Sequence, residues 1–220
     1  IEVKDIISQE YERLEKLMDN KGMTTGISSG FKHFDEMTNG FHPSDLVILA
    51  ARPAMGKTAF VLNLALQAAV EEKKSVMIFS LEMSNSQLLQ RLLSAKGKVP
   101  LANLRNGFLK DDDWMKLGSA SSKLAESSIQ IADMPNINVM EIRAMARRAK
   151  AAGKLDMIII DYLQLIKGRD KNGESRQQEI SDISRSLKII ARELDVPVIA
   201  LSQLSRGPEQ RADRRPMLSD

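Results

Sequence analysis

Asp45-Leu-Val-Ile-Leu-Ala-Ala-Arg-Pro-Ala-Met-Gly-Lys-Thr58 is the stretch from which the rest of the chain can be read. Its first half, Leu46 to Ala51, is a short apolar run of the kind that forms a buried strand. Arg52 to Met55 reads as a loop. Gly56, Lys57 and Thr58 then open a segment, Ala59 to Val70, whose Ala, Leu and Val content predicts a helix. A strand, a loop and a helix N-terminus in that order bring backbone N–H groups into one concavity, and the helix dipole adds positive potential there. Phosphate is the ligand that suits such a cradle. Gly56 would let the backbone approach it closely, Lys57 would supply a point charge for β- and γ-phosphates, and the Thr58 hydroxyl would be a Mg²⁺ ligand. The stretch departs from G-x-x-x-x-G-K-[ST] at one place, where Ala51 stands at the first glycine. The expected phosphate-binding residues are therefore Ala51, Arg52, Pro53, Ala54, Met55, Gly56, Lys57 and Thr58. A chance Gly-Lys-Thr at a helix start is the competing explanation, and the flanking strand and helix speak against it.

The remaining strands locate what would face that cradle. Ser75 to Leu81 is predicted as a strand with Glu82 just past its carboxyl end, on the side of an open α/β sheet where ligands bind. A carboxylate there could orient and deprotonate an attacking water. It could equally complement the dipole of the helix predicted over Ser84 to Lys96. Asp156-Met-Ile-Ile-Ile-Asp161 is an apolar run that ends in a carboxylate about 100 residues after Thr58. An acid at the end of a buried strand needs a cation, and beside Thr58 that cation would be Mg²⁺ with its waters. Ser128 to Ala132 and Val196 to Ser202 add two strands, and helices are predicted over Asp111 to Glu126, Asn138 to Ala152 and Gln177 to Leu194. The order β-α-β-α-α-β-α-β-α-β predicts an α/β fold, a mainly parallel twisted sheet with helices on both faces. Trp114, the lone tryptophan, is expected to be a packing residue, and His33 and His42 read as surface imidazoles.

Composition sets bounds on this picture. The 220 residues suit one α/β domain with an appendage, and 43% apolar residues suffice for a core. The chain has no cysteine, hence no disulfide frame and no thiolate metal site, and no apolar run approaches a membrane span. A net charge of +3 is too small to argue nucleic-acid binding, so local clusters must carry that reading. Two are present. Ile166 to Arg176 carries Lys167, Arg169, Lys171 and Arg176, and Arg206 to Pro216 carries Arg206, Arg211, Arg214 and Arg215. Both read as basic loops leaving the same edge of the sheet, and neither is rich in aromatics, so base stacking is expected to contribute little. Arg143, Arg147, Arg148 and Lys150 on the predicted helix Asn138 to Ala152 read as a solvated face. Residues Val3 to Asn20 place Val3, Ile7, Tyr11, Leu14 and Met18 on one helical stripe. That helix either packs on its own domain or docks its stripe on a neighbouring subunit. The following 20 or so residues show no core pattern. The chain begins at Ile1 and stops at Asp220 without a terminating element, so an excerpt of a longer protein is expected.

Taken together, these segments resemble the C-terminal ATPase domain of DnaB-type hexameric replicative helicases, which have a RecA-like P-loop NTPase fold. The matching stretches are Ala50 to Thr58, Phe79-Ser-Leu-Glu-Met83, Ile160-Asp-Tyr-Leu-Gln-Leu165, Glu179-Ile-Ser-Asp-Ile-Ser-Arg-Ser-Leu-Lys188 and Val198-Ile-Ala-Leu-Ser-Gln-Leu-Ser-Arg206. The resemblance includes Ala51 at the first glycine position. It implies a linker helix over residues 1–22 and a motor domain over residues 23–220, with ATP and Mg²⁺ as cofactors. Lys57 and Thr58 would hold phosphates and Mg²⁺, Asp161 would support the metal, Glu82 would be the catalytic base, and Gln203 would sense the γ-phosphate. The two basic loops would line the channel of a homo-hexameric ring and grip single-stranded DNA. A helicase loader, primase and other replisome proteins are the implied partners, in the cytoplasm of a bacterial cell or a phage-infected host and away from membranes. The family's collar domain and its trans-acting basic finger would lie outside residues 1–220. A RecA-like recombinase, or another RecA-fold ATPase without unwinding activity, would share every nucleotide-binding residue, and strand displacement on a forked duplex separates the two.

Overall fold

Five parallel strands form one sheet in the order β1-β5-β4-β2-β3: β1 (Leu46–Ala51), β2 (Val76–Ser80), β3 (Ile129–Asp133), β4 (Met157–Asp161) and β5 (Val198–Gln203). The computed structural model describes residues 3, 4, 7, 10, 11, 14, 15, 18, 24–168, 175–205, 211 and 216–217. The helices are α1 (Lys32–Thr38), α2 (Lys57–Leu66), α3 (Asn85–Gly97), α4 (Leu101–Asn106), α5 (Asp111–Ala125), α6 (Val139–Ala151) and α7 (Arg176–Leu194). A π-helical turn, Gln67–Glu71, extends α2.

Side-chain alternation along the strands builds two cores, one on each sheet face. Met77 and Phe79 of β2, Ile158 and Ile160 of β4, and Val198 and Ala200 of β5 pack with α6 and α7 through Ile142, Ala146, Ile183, Leu187 and Ile190. Their neighbours Val76, Ile78, Met157, Ile159, Ile199 and Leu201 face the other way, onto Leu62 and Ala65 of α2 and Leu88 and Leu92 of α3. Covered on both faces, β2 and β4 are buried at every residue, as continuous apolar runs in a parallel sheet should be. Strands β1 and β3 lie at the edges and are only partly covered.

Local chemistry fixes where the helices begin. Ser84 caps α3 and Asn138 caps α6, each in a reciprocal capping box with Gln87 and Glu141, and Ser175 caps α7.

Three expectations change. The segment after residue 23 does contribute core: Ile27 and Phe41 are buried and paired in an antiparallel bridge, and the Phe31 ring stacks on Phe60 with centroids 4.9 Å apart. Its apolar residues are scattered over a turn and a short helix, so no period revealed them. Helices α1 and α4, of 7 and 6 residues, are too short to show a periodic face. Trp114 is 63% exposed and is no packing residue. Gly97 at the end of α3 lies against Lys116, Leu117 and Ala120, and the first turn of α5, which carries Trp114, lies beyond that contact.

Toward the N-terminus, the described positions 3, 4, 7, 10, 11, 14, 15 and 18 are all helical. Val3, Ile7, Tyr11, Leu14 and Met18 lie between 47% and 71% exposed. None of these five side chains is buried among the described residues.

Candidate active site

Strand order decides which loops meet. Because β5 lies between β1 and β4, its end falls between the loop that follows β1 and the carboxylate that closes β4. In that loop Gly56 caps α2 with φ 88°, the left-handed conformation that glycine adopts without strain. An added Cβ would meet nothing within 4 Å, so conformation and ligand approach, rather than packing, require the glycine.

Lys57 Nζ donates to the Ser202 carbonyl at 2.9 Å and stands 5.3 Å from the Tyr162 ring centroid. Thr58 Oγ1 donates to Asp161 Oδ2 at 2.8 Å. The Arg52 guanidinium donates at 3.0 Å to the carbonyl of Leu204, the residue that follows β5. Ala51, Pro53, Ala54 and Met55 complete the loop, with Ala54 at φ 61° and Met55 exposed.

Glu82 reaches the same place from β2. The Leu81 N–H donates to the Asp161 carbonyl at 2.9 Å, carrying the β2–β4 pairing one step past the strand ends. Buried Ser80 then staples the turn: its hydroxyl donates to the Met83 carbonyl at 2.7 Å and accepts from the Met83 N–H at 3.3 Å. Glu82 is left exposed at the tip.

The electrostatics link these groups. Burial pushes the Asp161 carboxyl up, the Thr58 hydrogen bond opposes that, the Glu82 charge adds to it, and Lys57 and Arg91 pull it back down. Burial holds Lys57 below the usual lysine range against the attraction of Asp161 and Glu82. Burial, then Glu82 and Asp161, raises the Tyr162 hydroxyl. Sequence reasoning missed Ser80, Arg91, Tyr162 and Gln164. Of these, Ser80 was detectable as a polar residue in an apolar strand.

The donor set fits Mg²⁺. Among the described residues no group of three His, Cys, Asp or Glu could hold a metal, which leaves one carboxylate and one hydroxyl, from Asp161 and Thr58. Mg²⁺ is bound through one or two protein oxygens together with substrate phosphates and waters, not in an all-protein cage.

Gln203 closes β5 with its side chain exposed and, among the described residues, without a hydrogen bond. Of the basic residues expected on the loops, Lys167 is exposed, Arg211 is half-buried with interactions of its own, and Arg176 pairs with Glu179. Arg169, Lys171, Arg206, Arg214 and Arg215 lie outside the described residues. On the solvated face of α6, Arg143 and Arg147 converge on Glu193 of α7. His33 faces Glu36 at 3.1 Å and His42 is half-buried.

A parallel sheet with a glycine-lysine-threonine loop and an opposing strand-end aspartate defines a P-loop nucleotide-binding domain. Residues 26–220 match the family of the DnaB-like helicase C terminal domain, and the chain belongs to that family. It is 55% identical over 218 residues to the replicative DNA helicase DnaC of Bacillus subtilis (strain 168), an alignment covering 99% of this chain and 48% of that protein. The same identity and coverage hold for the replicative DNA helicase DnaB of Geobacillus stearothermophilus. The chain thus spans about half the length of these curated relatives. Among solved structures, the ATPase domain of G40P superposes with a TM-score of 0.92 at 41% identity, covering 100% of this chain and 77% of that one. A DnaB-like replicative helicase, described with its interactions with primase, superposes at 0.91 and 42% identity, covering 100% and 54%.

Proposed function

We propose that this chain is the ATP-hydrolysing motor of a ring-forming replicative DNA helicase, which moves along single-stranded DNA and unwinds duplex. The observation that carries the reading is the Thr58–Asp161 pair at 2.8 Å beneath Lys57, with Glu82 exposed beside it at the carboxyl edge of the sheet. The loop N–H groups and Lys57 bind the β- and γ-phosphates of ATP. Lys57 gives up the Ser202 carbonyl to do so, which couples phosphate arrival to the end of β5. Glu82 accepts the proton of the attacking water. Thr58 and Asp161 would hold Mg²⁺, which supplies charge neutralisation on the phosphates when bound. Gln203 offers its side-chain amide to the γ-phosphate.

Assembly follows from two complementary surfaces of one chain. The exposed stripe of Ile7, Tyr11 and Leu14 is matched by a cleft of about 670 Å³ between α6 and α7, floored by Ile183 and Ile190 and rimmed by Met140 and Ile189. A stripe on one copy seated in the cleft of the next is a heterologous contact, which closes into a ring when the rotation permits. A hexamer, contacts from both basic loops to DNA phosphates, a cytoplasmic location, and loader and primase as partners belong to the same reading. The 1–22 segment is its linker helix and 23–220 its motor. Among the described residues no helix is long and apolar enough to cross a membrane.

The test is the ATPase rate of the full-length protein against added single-stranded DNA, paired with strand displacement on a forked duplex. DNA stimulation that fades at high salt, together with displacement, is expected. A DNA-indifferent rate without displacement would overturn the reading.

A further inference from the structure

Gln164 lies three residues past Asp161, in the short turn Leu163–Leu165, and its side chain spends every hydrogen bond on one place. Its Nε2 donates to Ser202 Oγ at 2.9 Å and to the Gln203 carbonyl at 3.2 Å, and its Oε1 accepts from the Gln203 N–H at 3.3 Å. The last two residues of β5 are thereby clamped through their backbone and the Ser202 hydroxyl, while the Gln203 side chain is exposed. The first of these residues also meets the phosphate loop, because Lys57 donates to the Ser202 carbonyl.

The other end of Gln164 points elsewhere. Its carbonyl accepts from the Arg176 guanidinium, which also pairs with Glu179. Glu179 Oε1 in turn accepts the Gly168 N–H at 3.0 Å. A Cβ at Gly168 would meet the Glu179 carboxylate and push it aside. Gly168 and Arg176 lie near the two ends of the basic segment Ile166 to Arg176. One unbroken chain of hydrogen bonds therefore runs from Ser202 and Gln203 through Gln164, Arg176 and Glu179 to both ends of that loop.

We infer that Gln164 is a positioning residue that couples the nucleotide-facing end of β5 to the first basic loop. The inference rests on the ATP and DNA reading given above. When Lys57 and Gln203 engage phosphate, the Ser202–Gln203 backbone moves, and Gln164 transmits the movement to the loop stem. Coupling is reciprocal, so DNA held by the loop biases the phosphate site by the same factor. Arg176, expected from sequence to bind DNA, acts in this scheme as a link within the chain.

The experiment uses the full-length protein, an oligo-dT strand, and the variants Gln164→Leu, Gly168→Ala and their double. Wild type is expected to show DNA-stimulated ATPase. Each single variant should keep its KM for ATP and its melting temperature and lose about tenfold of the stimulation, within the range usual for coupled sites. The double should be no worse than the poorer single, because both cut one relay. Full stimulation in Gln164→Leu, or losses that multiply in the double, would overturn the relay. Should Gln164→Leu melt early, Gly168→Ala alone decides, since it acts at the far end and leaves the β5 clamp intact. Absence of stimulation in wild type would instead sink the underlying DNA-motor reading, and the relay with it.

Discussion

Asp161 carries opposing demands on one carboxylate. It is buried, and burial raises its pKa, with Thr58, Lys57 and Arg91 only partly offsetting that and Glu82 adding to it. A raised carboxylate pKa means that the folded chain holds the proton more tightly than the unfolded chain. Stability from this group is therefore present at acid pH and lost as pH rises through the folded value, which leaves a buried charge as a cost at neutral pH. Asp161→Asn keeps an acceptor for the Thr58 hydroxyl and removes the charge. The expected outcome is a melting temperature at neutral pH equal to or above that of wild type, with ATP turnover lost. A clear drop in melting temperature would show that Lys57 and Arg91 more than compensate for burial. Glu82 is the contrasting case, exposed and held by a stapled turn. Glu82→Gln should bind ATP with unchanged affinity in a fluorescence titration and lower kcat by about 10²–10⁴, the usual contribution of a general base. Lost binding would assign Glu82 a structural role instead.

Between elements, Glu193 of α7 is the clamp that holds α6. Arg143 Nε donates to its Oε2 at 2.7 Å, and Arg147 pairs with its other oxygen. Burial nudges the Glu193 carboxyl up, but the two arginine hydrogen bonds outweigh it and hold the pKa below the usual glutamate range. For a depressed carboxylate the stability is present above the unfolded pKa and lost as pH falls through the folded value. Both arginines are partly exposed, so the clamp is worth about 1 kcal/mol or less. Urea unfolding should show Glu193→Gln weaker than wild type by that amount at neutral pH, with the difference closing in acid. A gap that persists in acid would mean that the side chain acts through packing rather than charge.

Over the whole molecule, the proposed assembly surface and the proposed DNA-binding loops can be tested separately. Replacing Tyr11 and Leu14 by serine removes apolar area from an exposed stripe. Sedimentation of the full-length variant should show smaller assemblies with an unchanged melting temperature, and an intact ring would detach the stripe from the interface. Arg214 and Arg215 belong to the second basic loop. Replacing both by alanine should weaken single-stranded DNA binding and flatten the dependence of log K on log salt by about 1–2 units, as lost phosphate contacts require. An unchanged slope would take that loop out of the DNA path.

Much of this protein was legible in one dimension because the patterns concerned are local. The runs Leu46 to Ala51, Val76 to Ser80, Met157 to Asp161 and Val198 to Gln203 are strands because short contiguous apolar runs suit a parallel sheet, although Leu46 to Ala51, read as a buried strand, lies at the edge and is only partly covered. Glycine, lysine and threonine after the first run, and aspartate at the end of the fourth strand, announce the phosphate loop and its partner by position along the chain. The tertiary structure decided what those ends meet. Nothing in a linear pattern places β5 between β1 and β4, yet that order alone brings Lys57 to the Ser202 carbonyl across 145 positions. The Gln164 clamp on Ser202, 38 positions away, is equally invisible, since a glutamine in a turn carries no periodic signal. Trp114 shows the opposite limit: its large apolar ring suggested a core, but burial depends on whether another element covers that turn, and the ring is left 63% exposed. Local sequence determined which segments become strand, loop and helix, because each depends on neighbours a few bonds away. Only the fold decided which of their ends share a site, because that depends on the order in which the strands are laid side by side.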